Sequence, residues 1–329
     1  MRIRITLAII LAFVVSVSAS DRQERGTPIH PVHTYSIVAY DSATGQLGAA
    51  VQSHWFKVAD VIWAEPGLGA VATQSLSEIS YGPLALEMIR VGKTPQEALD
   101  GLLASDPSAD VRQVAVMNAF GQSATHTGSR CIAEAGHRWG PGYSCQANLM
   151  RDSTVWDAMG DAFEKATGDL ASRMLAALDA AQAAGGDIRG KQSAAMIVVA
   201  AHPSGRPWDD RLVDIRVDDS PEPLQELRRL LKINRAYNLM NLGDELMAED
   251  MLDEAEEAYR KAAEMVPGNA EIMFWHAVTL VSIDEIDRAL PIFKEAFAMD
   301  ESWRILVPRL VESELMPDDS ALIERIVSQ

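Results

Sequence analysis

The chain has little cysteine and a shortage of positive charge. Only two cysteines occur among 329 residues, and the seven histidines are scattered, so the spacing of a zinc site is missing. Lys and Arg number 29 against 47 Asp and Glu, which gives a formal charge of −18. Such a surface repels phosphate backbones and anionic membranes. The composition therefore argues against a metal site and against binding to nucleic acid or to a membrane.

The short strings that mark common catalytic sites are also missing. The sequence has no GxSxG, no phosphate-binding glycine loop and no HExxH. The nearest pattern is Gly67-Leu68-Gly69, which we interpret as a close approach between strands rather than a dinucleotide site. We therefore predict no cofactor and no metal.

The first residues have the pattern of a secretory leader. Arg2 and Arg4 precede an apolar run over residues 5–15, and small residues follow at 17–19. The run is too short to remain as a membrane anchor. We expect a signal peptide over residues 1–19 and a secreted or periplasmic protein. Residues 20–33 are rich in charge, Pro and Gly, which predicts an exposed tail or pro-segment.

Whether the two cysteines, Cys131 and Cys145, form a disulfide depends on the compartment. Outside the cytoplasm an oxidising environment lets thiols pair. Closing a loop of this length is worth roughly 3 kcal/mol on chain-entropy grounds. We expect a disulfide here, and two buried thiols are the alternative.

The secondary-structure pattern of the sequence changes near Pro221. Before it, strand patterns alternate with helical ones; after it, the pattern is helical throughout. The predicted strands cover residues 34–40, 46–52, 69–75, 112–117, 193–200 and 212–217, and the predicted helices cover residues 83–91, 95–104, 154–166 and 170–184. The order of hairpins, then helices, then more hairpins favours stacked antiparallel sheets that are covered by helices. It argues against a doubly wound parallel sheet. The predicted fold is α+β, a four-layer αββα sandwich over residues 34–230.

Residues 231–329 contain an internal repeat. A shift of 34 residues places Tyr259 on Phe293 and Ala262 on Ala296, and this period is typical of tetratricopeptide helix pairs. Such a pair cannot bury its own apolar face alone. We therefore expect flanking helices as caps, and a groove for a protein or peptide partner or a contact between copies of the chain.

Several polar residues stand on otherwise apolar strands. A buried amide must find hydrogen bonds, so a group of them at strand ends suggests a shared polar pocket that binds a substrate. The alternative is that each residue caps a turn or lies at a solvated strand end. The candidates are Gln52, Ser53, Gln74, Gln146 and Asn148.

Five ordered blocks carry a family resemblance. They are TYSIVAYDSATGQLGAAVQS, GLGAVATQS followed by SYGP, TGSRCIAEAGHRWGPGYSCQANLM, GGDIRGKQSAAMIVV and DDRLVDIRVDD, and they lie between residues 34 and 230. This pattern resembles the family called domain of unknown function 1028. The resemblance implies an N-terminal-nucleophile hydrolase-like protein with an αββα sandwich, and it implies no established substrate.

In that superfamily the first residue after processing attacks an amide carbonyl, and its own α-amine is the general base. By position the resemblance assigns this role to Thr34. Ser36 faces the same side by strand alternation and is a reserve nucleophile. Lys191 is the nearest cationic candidate or else a solvated side chain at a strand start. The candidate oxyanion donors are Gln74 or Asn148, with backbone N–H groups near Gly48 or Gly69 as alternatives. The expected substrate is a small amide or a peptide.

Leader removal alone leaves residues 20–33 ahead of Thr34. Its nitrogen is then part of the peptide bond with His33 and has no lone pair to accept a proton. Either a second cut before Thr34 frees its nitrogen, or the enzyme works differently, or no such reaction occurs. His33 is a candidate helper of the cut, and the alternative is that it is a loop residue before a strand. The rival hypothesis is a catalytically silent domain whose helical repeats bind a partner.

Overall fold

The computed structural model describes residues 30–329. The predicted signal peptide and residues 20–29 of the predicted tail lie outside the described residues. Antiparallel sheets form the first part of the structure and helices form the rest. This arrangement confirms the prediction of a mixed α+β chain with a helical C-terminal region.

The strands belong to two sheets. Within the described part of the chain they are β1 (His30–Val32), β2 (Thr34–Tyr40), β3 (Leu47–Ser53), β4 (Ile62–Glu65), β5 (Gly69–Ser77), β6 (Arg112–Asn118), β7 (Ser123–Thr127), β8 (Gly136–Gly140), β9 (Tyr143–Ala147), β10 (Ser193–Val199) and β11 (Arg211–Val217).

The helices follow the strands or separate them. Over the same residues they are α1 (Tyr81–Arg90), α2 (Pro95–Ser105), α3 (Val155–Lys165), α4 (Leu170–Ala183), α5 (Pro223–Ala248), α6 (Leu252–Met265), α7 (Ala270–Ser282), α8 (Ile286–Met299), α9 (Ser302–Leu306) and α10 (Ser320–Val327). We find no described helix with the length and apolar character needed to cross a membrane.

The first sheet has the order β1-β5-β6-β7, and β4 also pairs with β5. The second sheet has the order β11-β10-β3-β2-β9-β8. Every pairing between these strands is antiparallel. Chain neighbours such as β2 and β3 pair through a short turn, as expected for hairpins.

Side-chain alternation along the strands builds the apolar layers. On β2, Val38 faces the other sheet, whereas Tyr35 and Ile37 pack in a cluster with α3 and α4. On the first sheet, Val71 and Val116 pack in a cluster with α1 and α2. The two sheets therefore share one apolar interface, and each has helices against its other face.

The chain changes sheets at His33. The strand β1 pairs with β5 in the first sheet, and β2 begins immediately afterwards in the second. Val32 and His33 are buried at this crossing. This differs from the exposed tail predicted for residues 20–33, because residues 30–32 add a strand to β5 and Val32 enters the apolar interface between the sheets.

Helix α5 connects the two parts of the chain. Its first half contributes Leu227 and Leu231 to the apolar cluster on the second sheet, and its second half packs against α6. Gly243 permits the close approach to α6, because a Cβ there would lie 2.6 Å from a ring carbon of Tyr259. Beyond α6, helices α7 and α8 pack around Phe274, and α9 and α10 close the end of the array.

Candidate functional site

The site lies at the crossing between the sheets, around the peptide bond that joins His33 to Thr34. The His33 carbonyl oxygen accepts a hydrogen bond from Ser53 Oγ at 2.6 Å and another from Arg189 Nη2 at 2.7 Å. Ser53 stands opposite Thr34 in the β2–β3 register. A hydroxyl and a guanidinium thus polarise one carbonyl, and the charged donor is the stronger of the two.

Asp187 holds the Arg189 guanidinium in place. Its two carboxylate oxygens accept from Arg189 Nε at 3.0 Å and from Nη2 at 2.6 Å. The same carboxylate accepts from the backbone N–H groups of Arg189 and His54. The Asp187 side chain is fully buried, so its charge needs these partners. The pair fixes the direction in which Arg189 points.

Thr34 is fully buried in the described structure. Its Oγ1 donates to the carbonyl oxygen of Val32 at 3.0 Å. Its own carbonyl oxygen accepts from the Asn148 N–H and from Gln74 Nε2, each at 3.1 Å. The strand start is therefore anchored from both sheets.

A buried polar network extends from this point between the sheets. Ser36 Oγ donates to Gln74 Oε1 at 2.6 Å and accepts from Gln146 Nε2 at 2.6 Å. Gln113 Oε1 accepts from Gln74 Nε2 at 2.6 Å and from Asn148 Nδ2 at 2.9 Å. These amides satisfy one another, which a buried polar cluster requires.

The imidazole of His33 closes one end of this network. Its Nδ1 lies 2.8 Å from Asn148 Oδ1, and the Asn148 amide nitrogen is turned toward Gln113. Because the amide oxygen can only accept, Nδ1 carries the proton. Burial lowers the pKa of His33, so the ring is neutral near neutral pH.

The structure brings most of the predicted site residues together. Around the His33–Thr34 bond and its network lie Thr34, Ser36, Ser53, Gln74, Gln146 and Asn148. Lys191 is engaged elsewhere, in an ion pair with Glu222 near the start of α5. The cationic side chain that reaches the site is Arg189, two residues earlier in the chain.

Gln52 does not join this network. Its neighbours in the sheet, Tyr35 and Ala194, belong to the apolar cluster on the helix-covered face, so strand alternation turns Gln52 away from the other sheet. Its side chain is fully buried, and neither of its polar atoms has a hydrogen-bond partner among the described residues. The predicted common pocket therefore excludes this residue.

The predicted disulfide is absent, since Cys131 and Cys145 are both free. Cys145 packs with Ile37 in the apolar cluster beside α3 and α4. Cys131 lies in the loop after β7, where its Sγ donates to the carbonyl oxygen of Arg112 at 3.4 Å. Cys145 thus lies on β9 of the second sheet, whereas Cys131 lies in a loop beside Arg112 of the first. Burial raises the pKa of Cys131, which keeps that thiol protonated.

The site also contains Gln113, Asp187 and Arg189, which were not among the predicted residues. Gln113 lies on the predicted strand over residues 112–117 and precedes an apolar run that starts at Val114, so the argument that selected Gln74 applies to it. Asp187 and Arg189 stand in the block GGDIRGKQ, where an acidic and a basic residue two positions apart are flanked by glycines. That spacing lets one carboxylate hold the neighbouring guanidinium.

These features define an α+β protein with two antiparallel sheets and a buried polar junction at residue 33. The family model described as a family of unknown function, DUF1028, matches residues 34–227. The chain belongs to this family, which confirms the resemblance found in the sequence blocks.

One solved structure shares both the family and the fold. It is the crystal structure of a protein from Silicibacter pomeroyi assigned to DUF1028, with 31% identity and a TM-score of 0.55 over 61% of this chain and 88% of that chain. None of the curated proteins matches the sequence.

Proposed function

We propose that this chain is the precursor of an exported amidohydrolase of the N-terminal-nucleophile superfamily, with Thr34 as its nucleophile. The facing antiparallel sheets with helices outside each support the αββα assignment, and the leader pattern supports export. The observation that carries the proposal is the His33 carbonyl, which accepts from both Ser53 Oγ and Arg189 Nη2 beside the Thr34 hydroxyl. Two fixed donors on one carbonyl oxygen stabilise the charge that develops there under attack.

The precursor first cleaves its own chain. Thr34 Oγ1 attacks the His33 carbonyl carbon, and the oxygen takes negative charge between Ser53 and Arg189. The bond from carbon to the Thr34 nitrogen breaks, and the nitrogen takes the hydroxyl proton. Water then hydrolyses the resulting ester, which leaves a carboxylate on His33 and a free amine on Thr34.

The freed amine supplies the base that the precursor lacks. An α-amine has a pKa of about 7.7 to 8.0, so an appreciable fraction is neutral near neutral pH. It takes the Oγ1 proton while Oγ1 attacks a substrate amide, and the departing amine takes that proton. Water then releases the acyl group from Thr34. In this scheme Arg189 and Ser53 donate hydrogen bonds to the substrate carbonyl oxygen as they do to the His33 carbonyl oxygen.

The buried network positions the reacting strand. Gln74 and Asn148 hold the Thr34 carbonyl through a side chain and a backbone N–H respectively, so β2 keeps its place when β1 leaves. Ser36 is tied to Gln74 and Gln146 and is therefore a positioning residue in this scheme. Lys191 is given no role in this scheme, because its ammonium group pairs with Glu222.

The test is amide hydrolysis by purified protein with a residue-specific control. The wild-type chain should release amines from a library of peptide amides, and the Thr34→Ala variant should release none. A Thr44→Ala variant, which alters an exposed hydroxyl in the β2–β3 turn, should keep full activity. Equal activity in the Thr34→Ala variant would remove Thr34 from the reaction.

A second candidate function is binding of a protein or peptide by the tetratricopeptide-like helices. The supporting observation is an apolar cavity of about 630 Å³ between α5, α6 and α7, lined in part by Met240, Met247, Tyr259 and Trp275. Substitution of Met247 by Glu should abolish partner binding and leave amide hydrolysis unchanged. Loss of biological function in that variant, with none in Thr34→Ala, would favour binding as the role.

A further inference from the structure

We propose that residues 30–33 occupy the acyl side of the substrate-binding site as a built-in substrate, and that the enzyme cleaves extended peptides that replace them. The peptide pairs with β5, places an apolar residue where Val32 lies, and places a hydrogen-bond-donating side chain where His33 lies. This inference rests on Thr34 as the nucleophile and adds the class of substrate. Three sets of contacts around residues 30–33 support it.

The first set is the backbone pairing of β1. Its residues 30, 31 and 32 stand opposite Ser77, Leu76 and Ser75 of β5, in antiparallel register. The same edge of β5 is covered by β4 only over residues 69–72. When residues 30–33 leave, the end of β5 therefore has an open edge. An open sheet edge binds an extended peptide through main-chain hydrogen bonds.

The second set concerns Val32. Its side chain is buried in the apolar interface between the sheets, in a cluster that includes Val51 and Val58. Departure of residues 30–33 opens a space in this cluster that an apolar side chain fills and a charged one does not. The second residue before the cleaved bond, at the position of Val32, is therefore expected to be apolar.

The third set concerns His33, whose carbonyl and side chain are recognised separately. The carbonyl faces Ser53 and Arg189, which are the donors proposed for the reaction. The imidazole donates to Asn148 Oδ1 at 2.8 Å. Because Asn148 Nδ2 is turned toward Gln113, its oxygen remains as the acceptor for the substrate side chain. A side chain with an N–H donor is thus favoured at this position.

Such a peptide is cleaved in two steps. Thr34 Oγ1 forms an ester with the carbonyl carbon of the donor-bearing residue, and the amide bond to the next group breaks. The leaving amine takes the proton that the Thr34 α-amine had accepted from Oγ1. Water hydrolyses the ester, which yields a peptide carboxylate and restores Thr34.

The test uses the full chain and changes the peptide rather than the protein. Acetyl-His-Pro-Val-His as an aminomethylcoumarin amide is compared with peptides that carry Asp in place of Val or Phe in place of the last His. The value of kcat/KM should fall about tenfold with Phe, the effect of one lost hydrogen bond of about 1.4 kcal/mol. With Asp, cleavage should be undetectable. A scrambled peptide of the same composition is the control.

Binding provides a second readout. A fluorescent peptide that ends in Pro-Val-His should bind the wild-type chain after self-cleavage. It should fail to bind the Thr34→Ala precursor, in which residues 30–33 still fill the site. Equal binding by both proteins would show that the peptide uses another surface and would overturn the inference.

Intact mass separates the two ways of failing. If the wild-type chain begins at Thr34 and hydrolyses all three peptides equally, the inference is wrong and the nucleophile stands. If the wild-type chain keeps residues 30–33 and hydrolyses none of them, both the proposed function and this inference are wrong.

Discussion

Arg189 reaches the His33 carbonyl because two nitrogens of its guanidinium donate to the Asp187 carboxylate. The Asp187 carboxylate is fully buried, and a buried carboxylate without a partner is costly, so it keeps the guanidinium beside it. This arrangement gives a fixed donor with little freedom to turn away. At the scale of single residues, the proposed chemistry depends on that donor.

Replacement of Arg189 by Gln should slow the cleavage at Thr34. The variant loses the charged donor to the His33 oxygen, and loss of one such donor costs about 10²-fold in rate. A time course of intact mass on freshly purified precursor measures the effect.

Arg206→Gln is the matched control. Arg206 also pairs with a nearby aspartate, Asp209 at 2.7 Å, but it lies at an exposed turn. This variant should cleave at the wild-type rate. A second variant, Arg189→Lys, keeps the charge beside Asp187. Its cleavage rate should lie between those of Arg189→Gln and Arg206→Gln. Wild-type rates in both Arg189 variants would contradict the assignment.

Gln113 is the centre of the buried amide network. Its Oε1 accepts from Gln74 and Asn148, and its Nε2 lies within hydrogen-bond distance of the Ala147 carbonyl oxygen. Gln113→Leu keeps the size of the side chain, takes away the acceptor of Asn148 Nδ2 and removes one of the acceptors of Gln74 Nε2. We expect the free energy of unfolding to fall by about 2 to 3 kcal/mol.

Urea denaturation measures this loss. Gln96→Leu is the control, because Gln96 lies on the exposed face of α2 and bonds only to Asp100 among the described residues. Its effect should stay within about 0.5 kcal/mol. Equal effects of the two substitutions would show that the network adds no stability.

Among the elements, the strands with a clear local pattern were predicted, and the strands that form because another strand lies beside them were not. The strands β2 and β3 have apolar runs and a clear turn, so their existence follows from neighbouring residues alone. The sequence GHRWG of β8 has no apolar alternation, and that strand forms because β9 lies beside it. Likewise β1 follows from its pairing with β5, which is far away in the chain.

The difference between a local pattern and a long-range contact also explains which site residues were predicted. Gln74 and Gln52 have similar surroundings in sequence, but strand alternation and register place one between the sheets and the other beneath the helices. Arg189 meets His33 across 156 positions of the chain, a contact that no local pattern contains. Residue types were therefore predictable, and their faces and long-range partners were not.

Helix α2 offers a prediction about a single element. Thr94 Oγ1 accepts from the Glu97 N–H, and the Glu97 carboxylate accepts from the Thr94 N–H, which together form a capping box. Thr94→Ala should lower the free energy of unfolding by about 1 kcal/mol.

Urea denaturation of Thr94→Ser provides the comparison for this cap. Serine keeps the hydroxyl that accepts from Glu97, so this variant should lose much less than Thr94→Ala. The same loss in both variants would mean that the methyl group, and not the cap, supplies the stability.

At the scale of the whole molecule, buried histidines make stability depend on pH. Burial lowers the pKa of His33, His137 and His276 below the ordinary value. The unfolded chain binds protons on these groups at about pH 6.5, whereas the folded chain resists them. Stability should therefore be full above about pH 7 and should fall as the pH drops toward 5.

Urea denaturation at both pH values in high salt tests this dependence, since salt screens the net charge of the chain. The His276→Gln variant should lose less stability between the two values than the wild-type chain. An equal loss in both proteins would exclude His276 as a contributor.

The proposed chemistry requires that the chain is cut before Thr34. The most direct measurement is the intact mass and N-terminal sequence of the protein from its natural compartment, beside the Thr34→Ala variant prepared in the same way. We predict that the wild-type protein begins at Thr34 and that the variant keeps the preceding residues. The same N-terminus in both proteins, upstream of residue 34, would contradict the account.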